Sequence, residues 1–510
     1  MAKSIIVKCM KGYSMTDKKF DIYKIVFVII AVISFVIMRL IGMASGINGY
    51  LNVDDLCSVQ FAMIGDGFFD KINGILAEDP TNVPVFYLIL YVWIKLFGYA
   101  ANTMRILPEI CGALFVFFAG LIGEKIGNKK MGIIAAIVAG TSLQLVYVSY
   151  QIRAYSMLMM FSAIAFYAFL RRTSQWKSII LYTVSLLLLS YTHFFGVLVC
   201  AGLGSIDILN ILLKKREKKY LLCYVIYACL FVPYLVLAFI RANDMWAVFW
   251  PPVPTYRDIF SMIRNMCPGV GVSWGAYIFA FVFFVYLIFV VESLKKKECQ
   301  FVQSEIFTCF WVIYAVIAVG FLYSKYIKPQ SSVWVYRYFL VLFPFVVSVV
   351  SYGIWKGLDY IQERAEWGRT IFIGFVLFLG CVYTYTNIGY EIDHPNEIVG
   401  GSKNYEKLTE YIMETQDVKE QGTLVYMGYP DRYFEGWKQY ASQGGKIALP
   451  NLYNPKDISE ETDLSGYDTI YVVNIVYELT EEEKLQIEKT HRLVEQNCDG
   501  EGFVDKYVRY

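Results

Sequence analysis

Long apolar segments recur along residues 20–390, and they constrain the fold more than any other feature. The first, IVFVIIAVISFVIMRLIGM, follows a lysine-rich N-terminus and is too long for the core of a signal peptide. Further segments lie near residues 83–98, 106–124, 131–149, 155–170, 178–192, 194–213, 221–240, 272–292, 305–323, 336–355 and 370–388. Because about 20 apolar residues span a bilayer as one helix, the sequence predicts an all-α polytopic membrane protein with about 11–12 transmembrane helices.

Composition supports this fold class and excludes several others. Of the 510 residues, 57% are apolar and only 18% are charged, too few to cover the surface of a soluble protein of this length. The net charge of +2 does not suggest a nucleic-acid partner, and we expect none. Eleven cysteines without a CxxC pair and three histidines disfavour a thiolate or histidine metal site. Any metal would be held by carboxylates, which suit Mg²⁺, Mn²⁺ or Ca²⁺.

Basic linkers between the apolar segments predict which loops face the cytoplasm. Five linkers are rich in lysine or arginine: 125–130, 171–177, 214–219, 295–298 and 356–369. By the positive-inside rule they are cytoplasmic, as is the tail 1–20. The loops 48–82, 150–154, 241–271 and 324–335 then lie outside. Segment 83–98 breaks this alternation and is short for a span. Either it dips into the membrane or linker 125–130 is assigned to the wrong side; we expect eleven crossings with 83–98 dipping.

From about residue 391 the chain becomes more polar, and the periodicity changes. TLVYMGY, YDTIYVVNIVY and FVDKYVRY are typical of strands, whereas NYEKLTEYIMET and TEEEKLQIEKTHRLVEQ have a helical period. We therefore predict a membrane domain over 21–390 and a small soluble α/β domain over 391–510. The second domain is expected on the extracellular side of a multi-pass cell-membrane protein.

The predicted outer loop 48–82 carries the carboxylates that are best placed for chemistry. Asp54 and Asp55 are adjacent at the start of an amphipathic stretch, and Glu78 and Asp79 close the loop. An exposed loop is normally charged, so a single carboxylate there means little. An adjacent pair at the membrane surface is harder to dismiss. Carboxylates there are costly to ionise, which raises the pKa and favours a general base or a cation site.

Three basic side chains fall at predicted outer ends of helices. They are Arg153 in SYQIRAY, His193 in SYTHFFG and Arg337 in VWVYRYFLVLFPF. A lone arginine can extend its charge to the interface, and a histidine at a helix end is more often structural. Arginines on the outer face nevertheless oppose the positive-inside bias. Facing a carboxylate-rich loop, Arg153 and Arg337 would form an anion pocket suited to phosphate.

The order of these short motifs resembles the bacterial GT-C class of polytopic glycosyltransferases, similar to glycosyltransferase family 39. That class includes protein O-mannosyltransferases and the aminoarabinose transferase of lipid A. The resemblance covers most of residues 20–390 and is carried by NVDDLCSVQ, AEDPTNVPVFYLILYVWIKLFG, TMRILPEICGAL, YVSYQIRAYSML, THFFG and YRYFLVLFP. One departure is TNVP, which keeps only Pro84 where many members have His-Pro-Pro.

The resemblance implies transfer of a sugar from a polyprenyl-phosphate donor to an extracytoplasmic acceptor, with inversion. Asp54 would be the base that deprotonates the acceptor hydroxyl. Arg153, Arg337 and His193 would bind the donor phosphate. A divalent cation, Mg²⁺ or Mn²⁺, would be held by Asp55 with Glu78 or Asp79, and the lipid tail would lie between helices in the bilayer.

Two other functions and a non-catalytic scaffold compete with this interpretation. A transporter or flippase would place charges at the bilayer midplane and repeat its halves, and neither pattern is present. A polysaccharide polymerase or ligase would use a polyprenyl diphosphate and paired arginines in a large outer loop. Arg241, Arg257 and Arg264 in loop 241–271 keep that alternative open. In a scaffold, the aspartate pair would be incidental.

Overall fold

The computed structural model describes residues 21–44, 51, 53–243, 251–267, 274–295, 300–364, 374, 423–428, 452–453, 463–474, 479–498 and 503–510. The helices of the first part are α1 Ile22–Ala44, α2 Val53–Met63, α3 Phe68–Glu78, α4 Pro84–Phe97, α5 Ala101–Ile126, α6 Lys129–Gly140, α7 Leu143–Ser149, α8 Tyr155–Arg171, α9 Trp176–Thr192, α10 Phe195–Leu212, α11 Leu222–Asn243, α12 Tyr256–Met266, α13 Trp274–Lys295, α14 Glu305–Leu322 and α15 Phe343–Arg364. Short 3₁₀ turns lie at Lys218–Leu221, Gln300–Gln303, Pro329–Ser331 and Tyr336–Leu342, and a π-helix at Tyr323–Ile327.

Many of these helices have the length and apolar composition of membrane spans. Within the described ranges, seven are long and apolar enough to cross one: Ile22–Met43, Ala101–Ile126, Phe195–Leu212, Lys218–Arg241, Gly275–Lys295, Glu305–Ile327 and Tyr336–Tyr360. Helices α4, α8 and α9 are apolar but shorter. The polytopic helical architecture is confirmed. The predicted tail 1–20, and segment 370–388 except residue 374, lie outside the described residues.

The apolar segment 131–149 is bent rather than straight. Helix α6 ends at Gly140, and α7 starts at Leu143 after a bend of 53°. Thr141 Oγ1 donates to the carbonyl of Ile137 at 2.8 Å, and a glycine followed by two hydroxyl residues is a common place for a helix to bend. The bend redirects α7, whose end leads directly into the loop that carries Arg153.

Helix α5 is the centre of the bundle and packs against α1, α6 and α8. Its contact with α6 depends on glycines, which have no side chain to separate the two backbones. A Cβ atom on Gly123 would lie 2.8 Å from the carbonyl oxygen of Met131, and one on Gly132 would lie 2.8 Å from that of Gly120. Such close backbone approach is the usual way for small residues to pack membrane helices. The backbones of α5 and α6 therefore lie close together.

Helix α4 corresponds to the short segment 83–98. Pro84 occupies its first turn, where the missing N–H costs nothing, and Gly98 ends it with a φ of +90° that favours glycine. Its 14 residues are too few for a full span at about 1.5 Å per residue. That length agrees with the expectation that this element does not make an ordinary crossing, which stays a prediction.

The C-terminal part contains a five-stranded mixed sheet of order β2-β1-β3-β5-β4. Its strands are β1 Thr423–Gly428, β2 Leu452–Tyr453, β3 Thr469–Asn474, β4 His491–Cys498 and β5 Phe503–Arg509, with helix α16 Glu481–Glu488 before β4. Strands β1–β2 and β1–β3 pair in parallel, while β5 pairs antiparallel with β3 and β4. Three predicted strands are confirmed, and the predicted helix over 404–415 lies outside the described residues.

The prediction of one helix over residues 480–496 was wrong. Helix α16 begins at a capping box, in which Thr480 and Glu483 satisfy each other's backbone N–H, and it ends at Glu488. Residues from His491 onward form β4, because they pair with β5 and bury the His491 ring. That pairing partner comes later in the chain, so local periodicity gave no sign of it.

Candidate active site

Five of the seven predicted site residues come from separate parts of the chain and meet around one cavity of about 460 Å³. Asp54 lies in the first turn of α2, and Asp79 follows the end of α3. Arg153 lies in the loop after α7, His193 between α9 and α10, and Arg337 in the 3₁₀ turn before α15. All five line the cavity. Its volume lies within the range of small-molecule sites.

Asp54 is paired with both arginines. Arg337 Nη1 donates to Asp54 Oδ2 at 2.6 Å, and Arg153 Nη1 donates to the backbone carbonyl of Asp54 at 3.3 Å. The positive charge of Arg153, with that of Arg337 and its hydrogen bond, lowers the pKa of Asp54 despite burial. We predicted a raised pKa for a carboxylate here, and for Asp54 that was wrong because the arginines outweigh desolvation.

Asp55 points the other way and is fully buried. Its Oδ2 accepts a hydrogen bond from Arg105 Nη2 of α5 at 2.9 Å, and its Oδ1 accepts one from the backbone N–H of Ile152 at 2.7 Å. Asp55 therefore joins the first turn of α2 to α5 and to the loop of Arg153. It is not among the residues that line the cavity.

The structure separates the two candidates for the second acidic position. Glu78 is exposed and does not line the cavity, whereas Asp79 does. Asp79 Oδ1 accepts the N–H of Thr81 at 2.9 Å, which shapes the turn before α4. The hydroxyl of Tyr87 holds the same turn by donating to Asn82 Oδ1 at 2.7 Å. The turn, and with it Asp79, is thus fixed against the cavity.

The predicted metal-ligand set does not assemble. Among the residues that the structure describes, no three His, Cys, Asp or Glu side chains are grouped to hold a metal ion. Both oxygens of Asp55 face N–H donors, Glu78 lies outside the cavity, and Asp79 remains as the one predicted ligand that lines it. These donors do not fit the proposed Mg²⁺ or Mn²⁺ site, and no chemical step below passes through a metal.

His193 is a neutral hydrogen-bonding group. Its Nδ1 accepts the backbone N–H of Phe195 at 3.2 Å, so the neutral ring carries its proton on Nε2. Burial, together with the charge of Arg153, lowers its pKa to about 3. The ring packs against Tyr338, with centroids 4.8 Å apart. At neutral pH it therefore offers the cavity a donor but no positive charge.

Two tyrosines belong to the site although sequence analysis did not single them out. The Tyr155 ring lies 6.0 Å from the guanidinium carbon of Arg153 and 5.6 Å from that of Arg337. Tyr338 follows Arg337 and packs against His193 with the ring planes tilted by 51°. At these distances the negative face of the Tyr155 ring attracts both guanidinium groups. The available signal was the tyrosine close after each arginine, in IRAY and YRY.

The cavity also has an apolar side, which is lined by residues of two candidate spans. Phe239 of α11 and Val319 of α14 line it, yet their exposed fractions are 53% and 49%. A side chain that both lines a cavity and lies half-exposed marks the edge of an opening. The cavity thus has charged groups at one end and an opening between two candidate spans at the other.

Comparison with known proteins identifies the fold that carries this cavity. No family model matches the sequence, and no curated protein matches it. Among solved structures, ArnT from Cupriavidus metallidurans in the apo state is similar, with a TM-score of 0.60 at 10% identity. The match covers 94% of this chain and 97% of that one. The chain has the GT-C fold.

Two further structures are similar to this chain. ArnT from the same organism bound to undecaprenyl phosphate has a TM-score of 0.57 at 9% identity, over 94% of this chain and 97% of that one. An oligosaccharyltransferase from Archaeoglobus fulgidus in the apo form has a TM-score of 0.47 at 12% identity, over 91% and 70%. The two ArnT structures confirm the predicted GT-C fold class.

Proposed function

We propose that this protein is a membrane glycosyltransferase that moves a sugar from a polyprenyl-phosphate donor to an extracytoplasmic acceptor, with inversion. One observation carries the proposal: a single cavity combines an Asp54–Arg337–Arg153 cluster with an apolar opening between candidate spans. A lipid phosphate has the same two-part chemistry. The ArnT structure bound to undecaprenyl phosphate, which shares the fold, supports a lipid of this class.

Each part of the cavity has a role in such a transfer. Arg153 and Arg337 would bind the phosphate, and His193 would donate a neutral hydrogen bond from Nε2. Asp54 would accept the proton of the acceptor hydroxyl as its oxygen attacks the anomeric carbon. The bond from that carbon to the phosphate oxygen breaks, and its electron pair leaves with the lipid phosphate. Attack opposite the leaving group inverts the anomeric configuration.

The arrangement disfavours the polymerase or ligase alternative. Its three candidate arginines, Arg241, Arg257 and Arg264, are not among the residues that line the cavity. Arg241 instead donates to the backbone carbonyl of Asn73 at 3.3 Å. Among the residues that the structure describes, a diphosphate would therefore meet the same two arginines as a monophosphate, without the extra pair that its second charge favours.

Sugar transfer by the purified protein tests the proposal. Radiolabelled sugars on polyprenyl phosphates and diphosphates are supplied in nanodiscs, with envelope fractions as the acceptor source. We expect label to move from at least one monophosphate donor, and the product to have the inverted anomeric configuration by NMR. Transfer only from a diphosphate, or none from any donor, would contradict the proposal.

Arginine variants test the phosphate site. Arg153→Lys and Arg337→Lys should each reduce kcat/KM by roughly 10- to 100-fold, since a point charge does not replace a planar fork of donors. Arg264→Lys makes the same change outside the cavity and should leave turnover unaltered. If both cavity variants match wild type, the arginines are structural.

A further inference from the structure

Under the proposed function, the guanidinium group of Arg337 has two partners. Arg337 would bind the donor phosphate, yet its Nη1 already donates to Asp54 Oδ2 at 2.6 Å. The pair is open to the cavity rather than sealed, with exposed side-chain fractions of 24% for Arg337 and 30% for Asp54. A ligand that enters the cavity can therefore reach both groups.

The attraction within this pair also affects any incoming anion. Two arginines face one carboxylate, so the negative charge of Asp54 cancels part of the field that Arg153 and Arg337 present to a phosphate. A phosphate held by the same guanidinium lies within a few ångströms of the carboxylate. Two negative charges at that distance repel each other, and partial burial weakens the screening by water.

We propose, on the basis of the proposed function, that Asp54 and the donor phosphate compete for Arg337, so that the donor binds first and thereby releases Asp54 for the acceptor. In the empty site the base is held by the arginine and is not free to accept a hydroxyl proton. Once the phosphate takes over the guanidinium, the carboxylate oxygen is released toward the acceptor.

The competition also acts at the end of the cycle. The acceptor proton has moved to Asp54, the new glycosidic bond has formed, and the lipid phosphate has left with the electron pair of the broken bond. When Asp54 returns its proton to water, its restored charge attracts Arg337 again. This return to the ion pair helps to displace the lipid phosphate product.

An alternative arrangement makes the opposite prediction. Arg337 could keep Asp54 on one edge and bind phosphate on the other, because a guanidinium has five N–H donors. Asp54 would then orient the arginine for phosphate, and its loss would weaken binding. Neutralising Asp54 therefore distinguishes competition from bridging by the sign of the change in affinity.

The experiment measures binding of farnesyl phosphate, a short polyprenyl phosphate, to the full-length protein in detergent by calorimetry. Asp54→Asn keeps the shape of the side chain and removes its charge, and we expect its Kd to fall by about tenfold relative to wild type. Asp54→Ser should also tighten binding. Asp66→Asn is the matched control, because Asp66 is an exposed carboxylate of the same loop that does not line the cavity.

The outcomes separate this inference from the proposed function. Tighter binding by both Asp54 variants, with Asp66→Asn unchanged, supports competition. Unchanged or weaker binding by correctly folded Asp54 variants overturns it and leaves the phosphate site in place. Arg337→Gln tests that site independently: if this variant binds farnesyl phosphate as well as wild type does, the proposed function itself fails.

Discussion

Asp55 joins three segments of the chain through one buried carboxylate, and its removal should disturb all three. Asp55→Asn removes the carboxylate charge that pairs with the buried Arg105 guanidinium, and breaking a buried ion pair typically costs about 3–5 kcal/mol. It also loosens the Ile152 contact that sets the loop of Arg153. We expect a lower melting temperature and reduced turnover, measured by thermal unfolding and by sugar transfer.

The same variant tests the role that the sequence predicted for Asp55. A lost metal ligand should be compensated by added Mn²⁺, whereas a lost structural contact should not. We expect no recovery of turnover across a Mn²⁺ titration, with Asp66→Asn as the stable control. Recovery to wild-type turnover at high Mn²⁺ would restore the metal-ligand hypothesis.

Sequence analysis named residues that the structure brings together. It did not predict the direction, the partners or the pKa of each side chain. Asp54, Arg153 and Arg337 line one cavity, and their catalytic and phosphate-binding roles stay predictions. The opposite directions of Asp54 and Asp55 were not predictable, because their partners are far away in sequence. Arg105 is 50 positions from Asp55, and Arg337 is 283 from Asp54. The pKa of Asp54 depends on those same distant contacts.

At the scale of elements, the segment after α16 shows how a local pattern can mislead. The residues HRLVEQNC contain two adjacent apolar positions that fit a helix as well as a strand. Pairing in the sheet makes this segment a strand, because β4 pairs with β5 from His491 to Cys498, with one irregularity between Leu493 and Glu495. It also buries His491, whose Nδ1 faces Thr490 Oγ1 at 2.7 Å and whose Nε2 faces the carbonyl of Tyr467 at 2.8 Å.

Burial of His491 makes this edge of the sheet sensitive to acid. Burial lowers the pKa of His491 below its usual value of about 6.5. In the window between the two values the unfolded state binds more protons, so stability falls as the pH drops below about 6.5. We expect weaker hydrogen-exchange protection of β4 amides at pH 5 than at pH 7.5, after correction for intrinsic rates.

The control is His491→Gln in the full-length protein, which removes the titrating group. Its protection should be lower than wild type at pH 7.5 and should change little between the two pH values. An equal loss of protection in wild type and variant would assign the acid sensitivity to another group.

At the scale of the whole molecule, the sidedness of the chain decides whether the cavity can serve an outer acceptor. The basic linkers predict that residues 1–20 are cytoplasmic and 391–510 extracellular. In a background lacking the eleven native cysteines, single cysteines introduced into each region should differ in labelling of intact cells by an impermeant maleimide. We expect label at the C-terminal sites at once and at the N-terminal sites only after permeabilisation. The reverse order would move the cavity to the cytoplasmic face.

The half-exposed pair Phe239 and Val319 has a consequence for how the site is filled. If the proposed function holds, an opening between these candidate spans would connect the cavity with the acyl chains of one leaflet rather than with bulk water. Under the proposed function, the donor arrives by two-dimensional diffusion without leaving the lipid phase. The quantity that governs loading is then its mole fraction in that leaflet, and adding inert lipid slows the reaction by surface dilution while the molar concentration stays the same.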